Sequence, residues 1–252
     1  MKSNNASCST TTNYVTAFRD SSMGNFVFGE YGNETTIIDA VKLAYIDMQP
    51  RTIKGHGNFK EPKEESAEWW AKRLVEYFKK PKETRTAFES WHQKVCSDYL
   101  QFYKTKYKYE LSFGKAQKIL NMTFKYLYCG WRENHPEAFA FCHMPLDSII
   151  LNWYRIRIDE NQKTAWSNLD YDEYSYIEER INNYLKNKNM RPIHAEFEIW
   201  HLERQNKKLS DGIRAISQIK SCLSLRQDLG KMSDDIAVYL SEQNAEVLKL
   251  LP

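Results

Sequence analysis

Two residues between Phe113 and Tyr154 have the types and settings for chemistry at a sugar carbon. Lys118 lies in the first turns of a helical run, FGKAQKILNMTFKYLYCG, and Asp147 opens another, in HMPLDSIILNWY. An amine near a helix N-terminus sits at the positive end of the dipole, which disfavours its cationic form, as burial does. An amine that is neutral part of the time is a nucleophile. Asp147, two residues after Pro145, is a good N-cap. A capping carboxylate is held rigidly, where it can stabilise an oxocarbenium-like charge. Lys115, one turn before Lys118, is the competing amine. Each residue alone also has a plain explanation: solvated lysines and a capping aspartate.

The elements that must position them follow from periodicity. Ala116, Ile119, Leu120, Phe124 and Leu127 form one apolar stripe, with Lys118 and Lys125 off it. The spacing predicts helices over 113–128 and 147–157. Elsewhere it predicts a polar, disordered tail over 1–13, irregular structure over 14–34 and a helix from about Thr36 to Met48. A basic loop follows over 51–63. Further helices are expected from Ser66, from Pro81 to about Tyr103, over Tyr171–Leu185, from Pro192, and over 209–228 and 233–250, with a polar linker over 158–170. No strand alternation is present. The reading is all-α, about nine or ten helices, with residues 14–252 as a single two-lobed domain.

Composition bounds the rest. The 252 residues are 42% hydrophobic and 14% aromatic, enough for a sizeable core, and the nine Gly and seven Pro argue against a β-sandwich. A net charge of +3 permits nucleic-acid binding without requiring it. The five cysteines are spread too widely for a common metal site, Cys129, Cys142 and His143 included. No apolar run approaches the roughly 18 residues of a membrane span. The expectation is a cytoplasmic monomer without metal or cofactor. His194, Glu196, Glu198 and His201 share one amphipathic helix and read as facing solvent. Trp69 and Trp70 read as core.

A glycine-led helix with an early lysine, a connector, and Pro-Leu-Asp opening a second helix resembles the helix-hairpin-helix DNA glycosylase superfamily. The run QKILNMTFKYLYC looks most like its archaeal 8-oxoguanine glycosylase branch. The resemblance covers about 45 residues, with the hairpin and catalytic segment at about 104–158. The usual Leu-Pro-Gly-x-Gly hairpin is reduced to Ser112-Phe113-Gly114, and Leu146 stands where valine is common. The resemblance implies a two-lobed helical fold with a degenerate hairpin, Lys118 as the Schiff-base lysine (Lys115 if the register shifts by one turn) and Asp147 as the catalytic aspartate. It implies excision of a flipped-out base from DNA, with or without lyase activity. The substrate would be an oxidised purine or a hypermodified phage base, such as glucosylated hydroxymethylcytosine, in anti-phage defence.

The preceding segment is rich in Lys104, Lys106 and Lys108 interleaved with tyrosines. It is a candidate surface for DNA phosphates, together with Ser112 and the backbone amides near Gly114. The alternative is a non-catalytic helical module that binds nucleic acid or a protein, with Lys118 solvated and Asp147 only a cap.

Overall fold

The computed structural model describes residues 4–53, 60–224, 238, 239 and 241. The chain divides into two compact units, Met1–Leu202 and Glu203–Pro252. Among the described residues all regular structure is helical: α1 (Asn4–Ser22), α2 (Glu34–Asp47), α3 (Lys60–Lys79), α4 (Arg85–Tyr107), α5 (Phe113–Trp131), α6 (Ser148–Arg157), α7 (Tyr171–Lys186) and α8 (Pro192–Ser224). Short 3-10 turns lie at Pro50–Thr52, Pro136–Phe139 and Trp166–Asn168. In the second unit, the described side chains of α8 are mostly exposed.

Side chains set the helix starts. Asn33 accepts from the Thr36 N–H at 2.9 Å to begin α2, and Thr84 accepts from Ala87 N–H to begin α4. Asp170 and Glu173 cap α7 reciprocally. Ser112 caps α5, and Asp147 caps α6 through the N–H groups of Ile149 and Ile150.

In the first unit, α5 is the hub. Every residue from Phe113 to Cys129 is buried, so α5 has no solvent face over those turns. It packs against α1, α2, α4, α7 and the turns at Pro136–Phe139 and Trp166–Asn168. An apolar stripe with lysines outside it was the expectation. Instead the lysines are enclosed too, because α2, α8 and the Trp166 turn cover that side.

Several boundaries differ from the sequence reading. α1 begins at Asn4, so most of the expected tail and part of the expected irregular segment are helical. Val15 and Phe18 anchor it in the core. α3 begins at Lys60 because Pro62 falls in its first turn, where a missing N–H costs nothing. α4 starts at Arg85, not Pro81, because Thr84 supplies the cap. The expected break between the Pro192 helix and a 209–228 helix is absent from α8. The 233–250 helix lies almost wholly outside the described residues.

Gly114 is not a hairpin turn. It sits inside the first turn of α5, and a Cβ there would lie 1.8 Å from the Trp166 carbonyl oxygen. Its own N–H donates to Leu169 O at 2.9 Å, so the close approach is itself a hydrogen-bonded contact. Gly114→Ala is therefore expected to destabilise the fold by about 2 kcal/mol or more, because backbone rather than a flexible side chain must move. Gly212 in α8 has nothing within 4 Å of an added Cβ. Gly212→Ala should stabilise by up to ~1 kcal/mol. Thermal melts of the two variants check both signs, and a neutral Gly114→Ala would refute the close approach.

Candidate functional site

Lys118 and Asp147 come together. Lys118 Nζ lies 3.4 Å from Asp147 Oδ2, with side-chain exposures of 8% and 15%. The aspartate divides its two oxygens. Oδ1 accepts from the N–H groups of Ile149 at 2.9 Å and Ile150 at 3.0 Å, while Oδ2 faces the amine. Capping thus fixes the carboxylate without consuming the oxygen that points at Lys118. The indole of Trp166 lies over the same ammonium, 4.6 Å from ring centroid to Nζ.

Lys115 is held differently. Its Nζ donates to Thr52 Oγ1 at 2.7 Å and to Met48 O at 3.2 Å, tying α5 to the end of α2. It borders a cavity of about 400 Å³ lined by Thr52, Tyr109, Ser112 and Asn168 among others. Burial, and secondarily the Lys118 charge, lower its pKa from the ordinary 10.5 to about 8. Lys115 is thus tied to the segment after α2, while Lys118 is the amine beside the carboxylate.

Behind Lys118 the buried charges continue. Lys125, two turns on along α5, donates to Glu196 Oε1 of α8 at 2.7 Å, and both side chains are 1% exposed. The rings of Phe18, Trp200 and Phe197 surround the Lys125 ammonium at 3.8, 4.8 and 5.1 Å. The second Glu196 oxygen, Oε2, has no partner. Desolvation raises the Glu196 pKa against the opposing pull of Lys125, and Asp147 and Lys118 also act on it. Tyr126 donates to Asp47 Oδ2. Burial raises the pKa of Asp47, which the tyrosine and the charges of Lys118 and Lys125 oppose.

On another side of α5, two amides hold the irregular segment that leads into Asp147. Gln117 Nε2 donates to Leu146 O at 2.9 Å while its Oε1 accepts from Leu146 N. Asn121 Nδ2 donates to Met144 O at 3.2 Å and to Gln117 Oε1 at 3.0 Å. Leu146, immediately before the aspartate, is thus clamped at both its backbone groups.

The expected phosphate contacts are placed less openly. Ser112 Oγ donates to Ser167 O at 2.6 Å, and the Gly114 N–H is spent on Leu169 O. Lys104 pairs with Glu110 and Lys106 with Glu65, each at 2.6 Å. Lys108 takes the left-handed C-cap of α4, and its ammonium donates to Thr105 O. All three of these lysines are exposed.

Glu196 is buried, contrary to the surface reading of its helix, and His194 is half-buried against the ring of Tyr128. Trp70 is fully buried, and Trp69 stacks on Phe102. The sequence reading missed Asp47, Glu196, Phe18, Trp166 and Trp200. Two signals were present: Lys125 repeats the Lys118 position seven residues on, and Glu196 and Trp200 share a face at i, i+4. Among the described residues no group of three or more His, Cys, Asp or Glu could hold a metal ion. No described helix is long and apolar enough to cross a membrane. No protein-family model, curated protein or solved structure matches the chain.

Two outcomes follow for stability. Lys125→Met strands a buried carboxylate and should cost roughly 3–5 kcal/mol, whereas adding Glu196→Leu should restore most of it. Denaturant titrations of the single and double variants decide this; equal losses would show that the pair is not coupled. For Lys115, the unfolded amine titrates near 10.5 and the folded one near 8. Between those values the unfolded chain binds more protons, so stability from this group rises with pH. Lys115→Met should remove that rise, seen as a flatter pH dependence of unfolding from pH 8 to 10. An identical slope in variant and parent would refute the assignment.

Proposed function

We propose that the chain is a DNA glycosylase that excises a flipped-out modified base, with Asp147 and Lys118 as its catalytic pair. The observation that carries the reading is the part-buried 3.4 Å approach of Lys118 Nζ to Asp147 Oδ2, with the carboxylate fixed by two backbone amides. It adds to the resemblance of the Gly114–Asp147 segment to the helix-hairpin-helix glycosylases.

The chemistry runs as follows. The glycosidic bond breaks, and its electron pair leaves with the base. Positive charge develops on the sugar, and Asp147 Oδ2 lies ready to stabilise it. Lys118 gives a proton to the departing base and its freed amine attacks C1′ to form a carbon–nitrogen bond; otherwise water attacks, its proton passing to the base, and leaves an intact abasic site. The base, an oxidised purine or a sugar-bearing cytosine, would lie beside the pair on its open side, against the indole of Trp166 that covers Lys118 Nζ.

Asp147→Asn keeps an oxygen for the two amides, so the loss of stability should stay below ~1 kcal/mol. Base release should fall by roughly two or more orders of magnitude. The assay is release from duplexes that each carry one modified base, including 8-oxoguanine and glucosylated hydroxymethylcytosine. Borohydride should trap a covalent complex with the parent and with Lys115→Ala, but not with Lys118→Ala. Undiminished release by a folded Asp147→Asn sinks the mechanism. Failure of every modified duplex to react leaves the non-catalytic module as the better reading.

A further inference from the structure

A second cavity, of about 600 Å³, lies among α4, α7 and the start of α8. Neither Lys118 nor Asp147 lines it. Its wall includes His92, His143, Tyr174 and Glu178, all buried, and its rim carries Arg85, Lys186 and Arg191.

The protons on this wall can be placed step by step from the backbone. Leu146 N donates to Gln117 Oε1, which fixes the glutamine amide. Asn121 Nδ2 then shares its two hydrogens among Gln117 Oε1, Met144 O and the Tyr174 hydroxyl. Asn121 Oδ1 must accept from His92 Nε2 at 2.9 Å, so that nitrogen carries the His92 proton. Tyr174 is left with one acceptor, His143 Nδ1 at 2.8 Å. Desolvation, with the nearby charge of Arg85, keeps His143 neutral, so its own proton sits on Nε2.

That N–H has no partner, and neither do Glu178 Oε1 and Oε2. Leaving a buried polar atom unpaired costs about 1–3 kcal/mol. Here three such atoms belong to two residues that line one cavity, and Glu178 Oε2 lies 4.0 Å from His143 Nδ1. Desolvation raises the Glu178 pKa well above the ordinary carboxylate range, so the carboxyl is neutral and offers one donor and one acceptor. An N–H donor beside a neutral carboxyl complements the amide-like edge of a nucleobase.

The rim asks for an anion. Lys186 and Arg191 are exposed and form no ion pair among the described residues; Arg85 is shared with Glu89 at 3.4 Å and Asn182 at 2.7 Å. Glu179 also reaches the rim but is solvent-exposed. The first turn of α8, opened by Pro192, adds the positive end of a helix dipole. The volume is that of a pocket for a small organic molecule rather than a bare inorganic ion. We infer that this cavity binds a nucleoside monophosphate, its base edge on His143 and Glu178 and its phosphate on Lys186, Arg191 and Arg85. The same chemistry is offered by a free mononucleotide and by one unit of a strand.

Calorimetric titration of the full chain tests this with the four common nucleoside 5′-monophosphates, their nucleosides, inorganic phosphate and dinucleotides. At least one monophosphate should bind with a Kd below about 1 mM and more tightly than its nucleoside. Lys186→Ala with Arg191→Ala, both exposed, should weaken that monophosphate about tenfold and leave the nucleoside unchanged. Glu178→Gln should retain binding and Glu178→Leu should lose it; if the leucine variant fails to fold, the rim variant still decides. Asp147→Asn should bind like the parent, which separates this site from the proposed glycosylase chemistry. A dinucleotide that binds where no mononucleotide does assigns the site to a strand. The inference is overturned if no nucleotide binds at about 5 mM, if phosphate alone binds as tightly, or if the rim variant binds unchanged.

Discussion

Burial of α5 on every side is the constraint on which the rest depends. A helix with no solvent face is ordinarily apolar all round. This one encloses Lys115, Gln117, Lys118, Asn121, Thr123 and Lys125. Each of their polar groups needs an internal partner, because an unpaired one would cost more than it could contribute. Thr123 bonds back to Ile119 O within α5, and the other partners lie on other elements: Met48 and Thr52 just after α2, Met144, Leu146 and Asp147 before α6, and Glu196 on α8. Apolar contacts alone tolerate sliding by a fraction of a turn. A buried hydrogen bond has one geometry, so these side chains set the register of the elements around the hub.

The same burial grades the charge pairs. Lys118 and Lys125 lie seven residues apart and so share a face of α5, where their like charges need separate carboxylates. The Lys125–Glu196 pair is short, at 2.7 Å, and sealed at 1% exposure. The Lys118–Asp147 pair is longer, at 3.4 Å, and partly open. A sealed ion pair that loses one partner leaves a stranded charge, which makes it a structural element. An open, looser pair can exchange its partner for an incoming charge at lower cost. The two pairs differ in degree of enclosure, and on the glycosylase reading that difference suits the outer one to chemistry.

Much of this was legible in the sequence, for local reasons. The two central helices and the capping role of Asp147 follow from periodicity and cap chemistry, which act within a few residues. The closeness of Lys118 to Asp147 was expected from resemblance, and the structure supplies the distance. What escaped was everything decided at long range. Trp166 sits in a segment that reads as a polar linker, yet its carbonyl meets Gly114 and its ring covers Lys118. Glu196 looks like a solvent-facing residue until Lys125 is known to point at it. Asp47 ends a helix far from Tyr126 in the chain. Tail residues from Asn4 join a helix because Phe18, further along it, packs edge-on against Phe197 and Trp200. In each case the partner, not the residue, carries the information.

On the glycosylase reading, the turn before α5 also separates two kinds of contact with DNA. The Lys104–Glu110 and Lys106–Glu65 pairs are exposed, and solvent screening leaves exposed pairs weak. A phosphate can displace the carboxylates, with counterion release from the strand helping the exchange. The Gly114 N–H is another matter, since it is buried against Leu169 O and its glycine is demanded by the Trp166 carbonyl. Freeing it would open the hub itself. The exposed lysines therefore have the freedom to meet a backbone, while the glycine that marks the family resemblance holds the Trp166 turn, and with it the indole over Lys118, against α5.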